Sequence, residues 1–152
     1  LSIITPGERN WGALVPELHC IVTGKNRDDL LRLTAESIAF ALESTEASTK
    51  SGPATITRLD QLDPGVLGAL PEHYEVLFLE PAPMNPVSSE IERALAAANI
   101  SQAELARRIR SSRSAVSRML SPFYWGHSLE VLRRVAAALG AELSVHLVRK
   151  AA

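Results

Sequence analysis

Apolar residues in the first half of the chain come in short runs separated by turn residues, a pattern typical of strands. Three runs at 1–4, 11–16 and 20–23 predict a small antiparallel meander, and Pro16 indicates that the second strand ends or lies at an edge there. After Asn26, which can cap a helix, apolar residues recur at helical spacing and form one stripe. A small, polar stretch at 44–54 predicts a loop, and a nearly all-apolar run at 74–79 predicts a central strand. The predicted order is β-β-β-α-β. The residues of the stripe are Leu31, Ala35, Ile38 and Leu42.

The second half reads as helical, with helices over 89–98 and 128–139 around a short helix pair at 101–120. In the pair, Ser101 is the predicted N-cap of the first helix and Glu104 completes a capping box, while Ser112 caps the second. Gly140 ends the last helix. Residues 141–148 then alternate apolar and polar, which predicts a terminal strand.

A proline-rich stretch marks the predicted domain boundary. Three prolines fall within residues 81–86, where they can continue neither a helix nor a strand ladder and make a stiff linker. The sequence therefore predicts a domain at 1–80, a linker at 81–87 and a second domain at 88–152, each able to fold and act independently.

The helix pair carries the most specific chemistry in the chain. Between residues 101 and 120, five arginines face one carboxylate, Glu104. An ordinary helical hairpin with solvated arginines usually mixes signs, so the excess favours DNA binding, with the second helix in the major groove. Short hydroxyl side chains let the backbone approach phosphate, and Arg can fork onto guanine. The candidate DNA-binding residues are Gln102, Ser112, Arg113, Ser114, Ser117 and Arg118.

The distribution of charge also distinguishes the two halves of the chain. The net charge of −1 hides a difference between the halves. Residues 1–86 hold six Lys and Arg against twelve Asp and Glu, and residues 87–152 hold ten against five. A basic half suits nucleic acid and an acidic half suits a basic partner.

The cysteine count, the apolar runs and the histidine spacing restrict the other classes of protein that this chain could belong to. A single cysteine, Cys20, excludes an intrachain disulfide framework and fits a reducing cytoplasm. The sequence shows no leader and no apolar run near ~18 residues, so we expect a cytoplasmic protein without a membrane partner. The four histidines have no metal-ligand spacing, and we expect no metal and no cofactor.

The helix pair also resembles the helix-turn-helix of phage-repressor-like regulators, and residues 127–143 resemble the helix that follows it there. Arg110 stands where that family often has Gly, at a turn position that favours positive φ. The matching residues are Gln102, Leu105, Ala106, Ile109, Val116 and Met119.

The first half resembles the HicB antitoxin domain. The matching segments are WGALVPEL at 11–18, CIVTG at 20–24, a helix beginning NRDDL at 26–30, and a strand before a proline-rich tail. His19 replaces the Gly usual before the Cys, and Lys25-Asn26 replace a usual Asp-Thr. Many HicB proteins carry a helix-turn-helix behind this domain, so the resemblance covers nearly the whole chain.

This resemblance implies an α+β chain: a partial RNase H-like β-β-β-α-β domain followed by an all-α helix-turn-helix domain with a C-terminal strand. It also implies the function of a type II antitoxin. The chain would neutralise a small basic HicA-like toxin that cleaves mRNA, and it would repress its own operon.

Two other classes remain open. A stand-alone repressor would use its first domain to bind a small ligand or to mediate assembly. A phosphodiesterase would need several converging carboxylates, but the strand centres at 11–15 and 20–23 offer none. Asp28 and Asp29 open a helix, where the dipole stabilises them, and Cys20 has no evident paired His. We therefore expect a binding protein rather than an enzyme.

A single helix-turn-helix reads few base pairs, so an operator usually needs two half-sites and the protein a homodimer or higher homo-oligomer. The predicted terminal strand could pair with its copy across a two-fold axis through Leu143, Val145 and Leu147. The alternative is that this strand packs on its own domain.

Overall fold

The computed structural model describes residues 1–48 and 56–149. Its contacts divide the chain into two compact units, Leu1–Pro83 and Met84–Ala152. The first unit is a sheet with a long helix and the second is all helical, so the chain is mixed α+β as predicted.

The first unit is built on a four-stranded sheet with the order β3-β2-β1-β4, in which all neighbouring strands are antiparallel. Pro16 ends the second strand, as predicted, by starting a 3₁₀ turn at Pro16–Leu18. The strands are β1 (Ser2–Pro6), β2 (Trp11–Val15), β3 (Cys20–Gly24) and β4 (Glu75–Leu77).

Helix α1 (Arg27–Ser48) lies between β3 and β4 in sequence and begins at its predicted cap, where Asn26 Oδ1 accepts the Asp29 N–H at 2.8 Å. Leu30 is fully buried and packs with Ile4 and Ala13 of the sheet. Of the predicted stripe only Ile38 is buried.

The predicted stripe does not match the buried face of α1 because a polar residue, Thr34, lies on that face. Its hydroxyl donates to the Leu30 carbonyl at 2.8 Å, which satisfies it without a tertiary partner. A search for apolar residues alone misses such a position.

Two predictions for this unit, the central strand at 74–79 and the start of the loop at 44–54, were wrong. The run at 74–79 forms only the three-residue β4, which among the described strands pairs with β1 alone and so is an edge strand, with Phe78 66% exposed. An apolar run does not reveal how many neighbours a strand has. Helix α1 also continues to Ser48, into the predicted loop 44–54. Residues 49–54 of that loop lie outside the described residues, and a short helix, α2 (Pro64–Gly68), comes later.

The second unit consists of four helices around one apolar core. Asn85 caps the first helix, and the loop between the third and fourth folds back toward that cap. The helices are α3 (Pro86–Ala98), α4 (Gln102–Arg108), α5 (Arg113–Met119) and α6 (Leu129–Leu139). The buried core is Ile91, Leu95, Leu105, Ala106, Ile109, Val116, Met119 and Val135.

The predicted C-terminal strand is not formed in the single copy. Residues 141–149 have no regular secondary structure. A strand needs a ladder partner, and α3 to α6 offer no strand edge, so alternation alone cannot produce one. Val145 is 61% and Leu147 99% exposed, while Leu143 is half-buried.

None of the helices in ranges 1–48 and 56–149 has the length and apolar composition needed to cross a membrane.

Candidate nucleic-acid interface

The paired helices α4 and α5 begin at the predicted serine caps. Ser101 Oγ accepts the Glu104 N–H at 3.2 Å, and Ser112 Oγ accepts the Ala115 N–H at 3.1 Å. The Glu104 carboxylate, however, binds arginines rather than returning to the cap, so the predicted capping box is only half formed.

The turn between the two helices requires a left-handed residue, and Arg110 occupies it with φ of 52°. The next N–H, from Ser111, donates to the Ala106 carbonyl at 2.8 Å, and the Arg110 N–H donates to Arg107 at 3.2 Å. These two bonds close a Schellman motif, the usual helix end that favours Gly at this position. The positive φ expected here is confirmed, with the Cβ of an arginine in place of glycine.

The five arginines of this region are not equivalent. Arg107 and Arg108 both bind Glu104, with closest N–O distances of 2.7 Å, and Arg108 also donates to the Ala138 carbonyl at 2.9 Å. The hydrogen bonds from Arg107 and then Arg108 lower the pKa of Glu104 from 4.5 to about 2. The carboxylate therefore stays charged, and it holds both of these guanidinium groups on α4.

Arg110, Arg113 and Arg118 have no carboxylate within salt-bridge distance among the described residues. All three are exposed, at the turn before α5, at its first residue and in its last turn. Three exposed cations without neutralising partners around one short helix form a surface suited to binding a polyanion.

The other predicted contact residues surround the same helix. Gln102 is exposed at the first position of α4, and Ser114 and Ser117 are exposed on α5. Ser112 already accepts a backbone N–H as the cap of α5 and lies 3.0 Å from the Ser114 hydroxyl. Its hydroxyl hydrogen can still be donated outward.

The loop between α5 and α6 adds residues that the sequence did not reveal. The Arg118 guanidinium carbon lies 5.6 Å from the ring centroid of Tyr124. Asn85, 5% exposed, donates its side-chain amide to the Tyr124 carbonyl at 2.8 Å, and its N–H donates to Pro122 at 2.6 Å. Neither residue stood out, because Asn85 lay in a proline-rich stretch and Tyr124 in an aromatic loop, and only the fold brings them to α5.

The predicted dimerisation residues border a groove of about 530 Å³ between α3, α6 and the C-terminal segment. Leu143 and Val145 line it, and Leu147 is exposed just beyond. Helix residues Ile91, Leu132 and Leu139 make most of its floor apolar.

In the first unit, residues 1–48 and 56–83 show no comparable grouping of reactive side chains. Among the residues that the structure describes, no cluster of three His, Cys, Asp or Glu could hold a metal ion. Cys20 is half-buried on β3.

Comparison with known proteins bears on the second unit. A family model described as the Cro/C1-type HTH DNA-binding domain matches residues 90–144. No curated protein matches the chain. The C-terminal unit therefore carries a helix-turn-helix DNA-binding domain, as expected of a transcription regulator, with operator DNA as its partner.

Proposed function

We propose that this chain is a type II antitoxin of the HicB kind, a binding protein and not an enzyme. Its first unit would neutralise a small basic HicA-like toxin, and its second would repress the operon that encodes both proteins. The observation that carries the DNA-binding part is the placement of Arg110, Arg113 and Arg118 around α5 without carboxylate partners in the described structure.

In this proposal α5 is the recognition helix and enters the major groove. Arg113, at its first residue, and Arg118, in its last turn, contact guanine or phosphate. The small hydroxyls of Ser112, Ser114 and Ser117 allow close approach to the DNA backbone. Gln102 at the start of α4 contacts phosphate.

Three variants test this assignment by operator titration at fixed salt. Arg113→Ala and Arg118→Ala should each cost roughly 1–3 kcal/mol and relax specificity at one base pair where the arginine reads guanine. Gln102→Ala should weaken binding uniformly across sequences. Arg93→Ala is the matched control, because it removes an exposed arginine from α3, where it pairs with Glu90. Unchanged operator affinity in all three test variants would contradict the proposal that α5 is the recognition helix.

The antitoxin part rests on the first unit. Apart from the short helix α2 before β4, its order is the β-β-β-α-β that the HicB resemblance implies, which supports this assignment. Its surface is acidic: eight carboxylates are exposed against four cations among the described side chains. Such a surface supports a basic protein partner. The exposed carboxylates are Glu8, Asp28, Glu43, Asp60, Asp63, Glu72, Glu75 and Glu80.

The test is co-expression of the full chain with the product of a neighbouring gene that encodes a short basic protein. We expect co-purification and rescue of growth. The double variant Arg113→Ala/Arg118→Ala should still rescue growth while losing repression, which separates the two activities. Failure to bind that protein, or RNA hydrolysis by the purified chain, would contradict the antitoxin assignment.

Operator binding by two half-sites about 34–36 Å apart further requires a dimer. We propose that segment 141–148 pairs with its copy, which would satisfy its backbone groups and cover Leu143, Val145 and Leu147. The exposure of Val145 and Leu147 and the apolar groove beside them support this arrangement.

Val145→Asp should give a monomer that still binds toxin but loses most operator affinity. Ser144→Asp is the matched control, because in the proposed paired strand it adds the same charge on the face opposite Leu143, Val145 and Leu147. Sedimentation and operator titration measure both properties. A Val145→Asp protein that stays dimeric with intact DNA binding would place the two-fold contact elsewhere.

A further inference from the structure

An aromatic ring lies beside the guanidinium at the end of the recognition helix. The 5.6 Å between the Arg118 guanidinium carbon and the Tyr124 ring centroid is within the range of a cation–π contact. Arg118 is exposed and has four side-chain torsions, so without a neighbour its guanidinium would sample many directions. The Tyr124 ring restricts those directions.

The Tyr124 ring is itself fixed at two points. Its hydroxyl donates to the Gly126 carbonyl at 3.0 Å. Its face or edge meets the His127 imidazole, with ring centroids 4.9 Å apart and planes at 70°. This T-shaped geometry is a favourable arrangement for two aromatic rings.

His127 in turn is tied to the end of α5 and to the start of α3. Its Nδ1 lies 3.2 Å from the Asn85 side-chain amide nitrogen, and its Nε2 lies 2.9 Å from the Met119 carbonyl. An amide nitrogen can only donate, so Nδ1 accepts and Nε2 carries the hydrogen given to Met119. The hydroxyl of Ser88, a fully buried residue, lies 3.0 Å from the same Met119 carbonyl and 2.8 Å from the Ser121 carbonyl, so these two acceptors share its one hydrogen.

These contacts form a continuous support from the core to the DNA-facing surface. Ser88 on α3 contacts Met119, and Asn85, the cap of α3, contacts His127. His127 in turn packs on Tyr124, and Tyr124 faces Arg118. We propose that Tyr124 is a positioning residue for DNA recognition: its ring directs the Arg118 guanidinium and thereby sharpens discrimination at the base pair that Arg118 reads. This inference rests on the proposed role of Arg118 in DNA binding.

A double-mutant cycle on the full chain tests the coupling of the two residues. Tyr124→Leu should weaken operator affinity about two- to fivefold, the factor that corresponds to an exposed cation–π contact. In an Arg118→Ala background the same change should cost nothing further. Tyr124→Phe keeps the ring and loses only the hydroxyl, so it should retain nearly full affinity.

Two readouts separate positioning from a general loss of structure. Tyr124→Leu should lower discrimination against the wrong base at one position while leaving the salt dependence of binding unchanged, because no cation is removed. The control cycle pairs Tyr124→Leu with Arg113→Ala. Arg113 lies five residues before Arg118, more than one helical turn away, so that cycle should be additive.

A measurement on the unmodified protein covers the case in which Tyr124→Leu does not fold. The Arg118 Hε resonance should show an upfield ring-current shift in the wild-type protein and in Tyr124→Phe. An unshifted Hε, or an equal loss from Tyr124→Leu with and without Arg118, overturns the inference while the DNA role of Arg118 stands. If Arg118→Ala binds the operator as tightly as the wild-type protein, both the DNA role of Arg118 and the inference are overturned.

Discussion

Replacing Arg110 by glycine should stabilise the helix-turn-helix unit. Arg110 has φ of 52° in the Schellman turn between α4 and α5, where a Cβ approaches the following carbonyl oxygen. The left-handed conformation costs a residue with a Cβ about 1–2 kcal/mol relative to glycine. The greater freedom of glycine in the unfolded chain returns about 0.4–1 kcal/mol of that gain. We therefore expect a net stabilisation of roughly 0.5–1 kcal/mol.

Urea unfolding of the full chain measures this change. The chain has two tryptophans, one in each unit, so a Trp11→Phe background leaves Trp125 as the reporter of the second unit. With m of about 1–3 kcal/mol/M, the midpoint should rise by roughly 0.2–1 M. Arg110→Ala is the matched control: it removes the same charge but keeps a Cβ, so its midpoint should stay near that of the wild type.

Equal urea midpoints for the glycine and alanine variants would contradict backbone strain at Arg110, since the difference between these variants isolates that strain. Both variants lose one cation beside the recognition helix. If Arg110 contacts phosphate, both should therefore lower the slope of log affinity against log salt by about 0.9.

Three further changes test the packing and electrostatics of the two units. Gly24→Ala should destabilise the first unit by about 1–3 kcal/mol, because a Cβ there would lie 2.5 Å from a backbone nitrogen of α1; Gly68→Ala, with open space around the new Cβ, is the control. The lowered pKa of Glu104, about 2 against 4.5 unfolded, stabilises the fold above pH 4.5, and this contribution is lost as pH falls from 4.5 toward 2. Over that interval the urea midpoint of Glu104→Gln should decline less than that of the wild-type protein. An identical decline would contradict the lowered pKa of Glu104. Leu105→Ala should cost about 2–5 kcal/mol at a fully buried site, and the same deletion at Leu129, 54% exposed, should cost far less in the same unfolding assay.

Local signals in the sequence determined most of the helical unit. The serine caps at 101 and 112 and the terminating Gly140 are found where predicted. Capping is decided within three or four residues of a helix end, so neighbouring sequence suffices to identify it. The same holds for the left-handed turn at Arg110 and for the arginine excess around α5.

Tertiary structure decided everything that depends on distant partners. It placed β4 at the edge of the sheet and left segment 141–149 without a strand partner. It also joined Arg108 to the Ala138 carbonyl, 30 residues away along the chain. The support for Arg118 joins Asn85 to Tyr124 across 39 residues. Such pairings depend on which surfaces the folded core brings together, and periodicity, which reports only the face of each element, carries no information about them.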